Sequence, residues 1–237
     1  VHQLSTPERQ FADLLAAEPS RPFVTYYDEA SGERSELSVK SLANWVAKTH
    51  HLLGTELGLG PGDSALVALP AHWISVPILL GCLTAGLEVT DAGPAEVAFV
   101  APDTISRADA ADVYAIAPRS AAVGLRDAPP AGAQDYVSAV RPQADAWATV
   151  HMPAGPADPG LAGLSRSDVV ARAQATGLAP GERLLTTRAW NAPTDWIATV
   201  FAALAVGGSL VIVVNATDDV IARRVEQERA TRVDPGV

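Results

Sequence analysis

Between Ser64 and Thr90 the chain reads as strand, helix, strand, and that succession limits the fold more than any other feature. Ser64 to Leu69 is an unbroken apolar run bounded by Asp63 and Pro70, the pattern of a strand buried on both faces. Trp73 to Ala85 then has helical length, and Leu87 to Thr90 returns as a second strand. Strands joined through a helix lie parallel, with a right-handed crossover. A parallel sheet must be covered on both faces, so such a unit demands more helices and more strands around it.

The rest of the chain supplies them. Phe11, Leu14 and Leu15 mark a short amphipathic helix over Gln10 to Ala17, closed by Pro19 and Pro22. Phe23 to Tyr27, the turn Ala30-Ser31-Gly32-Glu33 and Glu36-Leu37-Ser38 read as a hairpin. Ser38 then caps a helix carrying Leu42, Trp45, Val46, Thr49 and Leu52-Leu53, which ends at Gly58 to Gly62. Further strands are expected at Val97 to Val100, Val113 to Ile116 and Trp147 to Val150. The last third reads as helix Ser167 to Thr176, strand Arg183 to Thr187, helix Thr194 to Val206, strand Ser209 to Val214 and helix Asp218 to Gln227, with Asp218-Asp219 suited to a helix N-terminus. Gly60-Pro61-Gly62-Asp63 before one strand is echoed by Ala179-Pro180-Gly181-Glu182 before another. The fold class is therefore α/β, layered mostly parallel sheets with flanking helices, a single unit over residues 1–237 with two βαβ-type subdomains expected to meet near 125–145.

Composition narrows the function. With 237 residues, 48% hydrophobic and 19% charged, the chain buries a core and is not disordered. Twenty-seven acidic against 17 basic side chains give −10, and no basic run exceeds Arg223-Arg224. Nucleic-acid binding and attachment to a membrane surface are disfavoured. Cys82 stands alone and the start VHQLSTPERQ has neither a basic segment nor an apolar one, so cytoplasmic localisation is expected. Fifteen of the basic residues are Arg and two are Lys, a bias that fits a GC-rich bacterial genome.

Three stretches carry a family resemblance. "FVTYYDEASGERSELSVKSLANWVAKTHHLL", "LGLGPGDSALVALPAHWISVPILLGCLTAGLEVT" and "GLAPGERLLTTRAWNAPTDWIATVFAALAVGGSLVIV" follow one another in an order that resembles the N-terminal domain of the adenylate-forming superfamily: acyl-CoA synthetases, luciferases and peptide-synthetase adenylation domains. The resemblance implies activation of a carboxylate with ATP to an acyl-adenylate. It also implies a Ser/Thr/Gly-rich phosphate loop ending in Pro-Lys-Gly, after a strand and before a helix entry like Leu164-Ser165-Arg166-Ser167.

That slot is His151 to Gly163, and it contains no Lys, Ser or Thr. Phosphate loops aim backbone N–H groups and a cation at the polyphosphate. Pro153, Pro156 and Pro159 lack N–H groups, and Asp158 places a negative charge there. Like charges at close range cost on the order of a few kcal/mol near a protein surface. His151, Gly155 and Asp158 thus mark a degenerate phosphate-loop position. The superfamily's later segments and its C-terminal catalytic Lys also have no counterpart before Val237, and Lys40 and Lys48 are expected as solvated helix-surface residues.

Other motifs have plainer readings. Gly58-Leu59-Gly60-Pro61-Gly62 follows a helix and opens a strand, the reverse of a dinucleotide loop. Gly163-Leu164-Ser165-Arg166-Ser167 lacks the second Gly of a nucleophile elbow. His2, His50, His51, His72 and His151 show no metal spacing. Trp190, Asn191 and Asp195 form a candidate substrate pocket for a small acyl or carboxylate ligand, although Asp195 or Thr194 as a helix cap and the indoles of Trp190 and Trp196 as packing are the commoner roles.

The expected function is a catalytically inactive relative of acyl-adenylating enzymes that acts as a binding or regulatory module. No cofactor and no metal are expected. The alternative is a partial acyl-CoA synthetase-like enzyme, with ATP and Mg, completed by a partner chain. Expected partners are a second copy or another protein, with a small acyl or carboxylate ligand; no nucleic acid and no membrane.

Overall fold

A computed structural model describes residues 5–117, 122–146 and 152–236. Its helices and strands run α1 Pro7–Ala17, β1 Pro22–Asp28, β2 Glu33–Ser38, α2 Val39–His51, β3 Ser64–Ala68, α3 Ser75–Ala85, β4 Glu88–Thr90, β5 Ala95–Val100, β6 Ala110–Ala115, β7 Gln134–Asp135 and α4 Tyr136–Val140. They continue as β8 Pro159–Leu161, β9 Leu164–Ser165, α5 Arg166–Gln174, β10 Arg183–Thr186, α6 Pro193–Trp196, α7 Ala202–Ala205, β11 Ser209–Val214, α8 Asp218–Glu228 and β12 Arg232–Asp234. A π turn over Leu52–Glu56 prolongs α2, and another over Ile197–Phe201 joins α6 to α7.

The contacts separate two compact units. One comprises residues 1–42, 71–73 and 167–237, the other 43–70 and 74–166. The first holds a five-stranded sheet in the order β12-β10-β11-β1-β2. Every pairing in it is parallel except that of edge strand β2 with β1. Val24, Thr25, Tyr26 and Tyr27 of β1 are buried like Leu210, Val211, Ile212 and Val213 beside them in β11, so the centre of the sheet is covered on both faces, as parallel pairing requires. Tyr27, Leu185, Val211 and Val213 form an apolar cluster beneath Ile221 and Val225 of α8. Thr6 caps α1 by accepting Arg9 N–H at 3.3 Å, and Pro7 fills the first helical position, where no donor is needed.

The second unit holds a seven-stranded sheet, β7-β6-β5-β3-β4-β8-β9, parallel except at its β9 edge. Leu66, Ala68, Ala98 and Val100 line one side of its centre. Helix α3 is buried at all eleven positions, which explains its lack of amphipathic periodicity. It ends in a Schellman turn: Gly86 N–H reaches Leu83 O at 3.0 Å, Leu87 N–H reaches Cys82 O at 3.0 Å, and Gly86 has φ +97°. Gly81 is equally forced, since a Cβ there would lie 2.5 Å from Thr49 Cβ.

The α/β class and the order of long elements follow the sequence pattern. The expected strand at Trp147 to Val150 lies outside the described residues. Four short strands, β7, β8, β9 and β12, and helix α4 escape that pattern because none is long enough to show a period.

Candidate functional site

The expected phosphate-loop slot lies in the second unit, and its described part runs as an irregular loop over 152–158 and then enters a hairpin at Pro159. Pro159–Leu161 pairs with β4 through Val89 and Leu161, then turns back on Leu164–Ser165. The two-residue turn Ala162-Gly163 has φ of +47° and +79°, the sign a tight hairpin demands. Gly163 N–H donates to Glu88 Oε1 at 2.6 Å, and Ala162 N–H to Val89 O at 2.9 Å.

Ahead of the hairpin the backbone is closed by its own carboxylate. Gly155 N–H donates to Asp158 Oδ2 at 2.7 Å, and Asp158 N–H donates back to Gly155 O at 3.1 Å. Asp158 therefore occupies the Gly155 N–H donor. His151, the third residue expected at this position, lies outside the described residues.

The cation next in sequence is turned inward. Arg166 is wholly buried, and its Nη1 and Nη2 donate to Leu83 O at 2.9 Å and Leu87 O at 3.0 Å, at the C-terminal end of α3. There the guanidinium meets the negative end of the helix dipole. The backbone at Gly160 lies against the same side chain: a Cβ on Gly160 would sit 2.9 Å from Arg166 Cγ and 3.2 Å from Arg166 Cα. A lysine at that point of the hairpin has no room to begin. The sequence pattern marks Arg166 only as part of a helix entry, since its carbonyl partners lie 83 and 79 residues away.

Lys48 also departs from expectation. Its ammonium donates to Gln143 O at 2.7 Å and Arg141 O at 3.1 Å, and pairs with Asp145 Oδ1 at 2.7 Å. It fastens a loop rather than standing solvated, because three oxygens converge on it. Lys40 is exposed on α2.

The candidate substrate residues lie in the first unit. Asp195 Oδ2 accepts Asn191 N–H at 2.9 Å and Ala192 N–H at 3.0 Å, capping α6, while Oδ1 meets Arg188 Nη1 at 3.2 Å. Trp190 and Trp196 are buried, and Asn191 is exposed. Arg188 in turn grips Asp234 with both arms, Nε to Oδ2 at 2.7 Å and Nη2 to Oδ1 at 2.9 Å. These hydrogen bonds raise the Arg188 pKa and lower that of Asp234. Arg188 and Asp234 border a cavity of about 320 Å³ whose other walls include Thr176, Leu184, Ala198 and Val233. Asp195 reaches this cavity through Arg188, whereas Trp190 and Asn191 do not line it.

His72, in the same unit, is buried against the Tyr26 ring, with centroids 4.2 Å apart, and its Nε2 stands 3.5 Å from Glu33 Oε1. Burial outweighs the attraction of Asp28 and pushes its pKa down to about 3. Among the described residues no three His, Cys, Asp or Glu side chains come together as a metal site, and no helix is long and apolar enough to cross a membrane.

A protein of Mycobacterium tuberculosis described as a TIGR03089 family protein is 40% identical to this chain over 232 residues, covering 93% of this chain and 94% of the relative. The chain belongs to the TIGR03089 family. No family model matches it. Among solved structures, a Brucella canis acyl-CoA synthetase matches 97% of the chain with a TM-score of 0.75 and 15% identity. The acetoacetyl-CoA synthetase of Streptomyces lividans matches 96% with a TM-score of 0.76 and 19% identity. The anthranilate CoA ligase AuaEII, in complex with anthranoyl-AMP, matches 98% with a TM-score of 0.73 and 12% identity. This member of the TIGR03089 family thus has the fold of acyl-CoA synthetases, the likeness expected from the three stretches. It spans 47%, 42% and 50% of those three chains.

Proposed function

We propose that this TIGR03089 family chain is a noncatalytic binding or regulatory module on the acyl-CoA synthetase fold, and that it does not adenylate a carboxylate. The observation that carries the reading is the internal closure of Gly155 on Asp158, with Oδ2 at 2.7 Å from the amide nitrogen. An incoming phosphate would have to displace a charged acceptor already in place and then remain beside it, which turns an attraction into a repulsion. The commitments of Arg166 to helix α3 and of Lys48 to three oxygens support the same reading, since neither cation is available without breaking buried or partly buried bonds.

Calorimetric titration of ATP with Mg²⁺ into the protein tests it. The expected result is no heat of binding; affinity in the micromolar range overturns the proposal. ATP–pyrophosphate exchange with a panel of carboxylic acids is expected to stay at background, and stimulation by any acid would restore the enzymatic reading.

A further inference from the structure

Strand β12 closes one side of the five-stranded sheet, and among the described residues nothing pairs with its outer edge. Such an edge is a row of backbone donors and acceptors open to another strand. Its three residues are Arg232, Val233 and Asp234. Val233 is 41% exposed and is one of two large hydrophobic side chains exposed among the described residues, with Val123. The Arg232 side chain is exposed and makes no hydrogen bond or ion pair among the described residues, unlike those of Arg183, Arg188 and Arg224 of the same unit.

We infer that β12 is a self-pairing edge, and that its occupant is a second copy of the same strand laid antiparallel about a two-fold axis through Val233. The order of charges makes the strand complementary to itself. Centred on Val233, an antiparallel copy puts Arg232 opposite Asp234 and Asp234 opposite Arg232, two identical attractive cross-strand pairs. A parallel copy in register stacks Arg232 on Arg232 and Asp234 on Asp234, which repels.

The two faces agree with this arrangement. Val233 is in register with Leu185, a member of the apolar cluster under α8, so the paired valines continue that layer across the axis. Arg232 and Asp234 are in register with Leu184 and Thr186 and belong to the opposite face. The Asp234 carboxylate accepts Arg188 Nε and Nη2, Thr186 Oγ1 and Gly236 N–H, yet it remains 19% exposed, so a second guanidinium would meet it as a charge partner rather than through a vacant acceptor site. The other edge of the sheet does not match it. Strand β2 is longer but polar, and its Arg34 already pairs with Glu36 of its own strand at 2.8 Å.

The test is the mass of the whole chain by light scattering. A dimer is expected for the native sequence, with Arg232→Asp and Val233→Asp each weakening it about tenfold or more, because the Arg232 change makes two attractive pairs repulsive and the Val233 change sets two charges on the axis. Val233→Cys, oxidised with diamide, is expected to give a covalent dimer on a non-reducing gel; the only other cysteine, Cys82, is fully buried. A native chain that stays monomeric up to its solubility limit overturns the inference. So does a dimer whose mass survives both aspartate variants, or a Val233→Cys chain that remains uncrosslinked under oxidation.

Discussion

The guanidinium of Arg166 donates to the carbonyl of Leu87 at 3.0 Å while its second arm holds Leu83 O at 2.9 Å. This buried cation joins the start of α5 to the end of α3, across 79 and 83 residues of chain. A side chain that follows the expected phosphate-loop slot therefore serves the fold.

Replacing Arg166 should show the size of that service. Arg166→Leu leaves Leu83 O and Leu87 O without their charged donor in a buried place, each a loss of about 1–3 kcal/mol. Urea unfolding is expected to report a loss of about 3 kcal/mol or more. Arg166→Lys keeps the charge but not the two-armed reach, so it should recover only part. Stability unchanged in Arg166→Leu would show that the carbonyls find other partners.

Gly160→Lys asks whether the hairpin can accommodate a lysine after Pro159. A Cβ at Gly160 meets the backbone and Cγ of Arg166 at 3.2 and 2.9 Å, and overpacking of this kind costs about 1–3 kcal/mol. The variant is expected to lose that stability and still to give no heat with ATP and Mg²⁺, because Asp158 continues to hold Gly155 N–H. A stable variant that binds ATP would remove the steric part of the argument.

How much of this could be read beforehand depended on length and on locality. Strand β3, helix α3 and strand β4 were legible because Ser64 to Thr90 is nearly all apolar, and the Asp195 cap was one of two weighed roles because capping acts over three residues. Hairpin β8–β9 was hidden, since Pro159 opens it and Ala162, not a glycine, takes a positive φ in its turn. The three residues of β12 have no alternation to detect. The roles of Arg166 and Lys48 were not legible, because their partners lie 79 to 97 residues away and no local pattern announces an oxygen that distant.

His72 makes the first unit sensitive to mild acid. Its pKa falls from 6.5 to about 3 in the folded chain, by burial, so between those values the unfolded chain binds a proton that the folded chain does not. Stability must then drop as pH falls from about 6.5 toward 3, at up to about 1.4 kcal/mol per pH unit from this group. His72→Gln should remove that component. Urea unfolding of both proteins from pH 7 to pH 4 checks it: the native curve should be the steeper, and parallel curves would mean that His72 is protonated in place.

The Arg188–Asp234 pair carries the opposite kind of titration, at lower pH. The guanidinium holds the Asp234 carboxyl below its ordinary value of 3.8, against a smaller opposing effect of burial. A carboxyl depressed in this way stabilises the fold at every pH above its ordinary value, and that contribution is lost as the pH falls through the depressed one. Asp234→Asn should therefore be less stable than the native chain at pH 7, and the gap should begin to close only below about pH 4. Because the same side chain borders the cavity beside β10, thermal melts followed in the presence of 0 and high salt add a second check. A pair held by two bonds at 2.7 and 2.9 Å should lose little to screening, so a gap that vanishes in salt would mean the carboxylate acts as a surface charge and not as a clamp on Arg188.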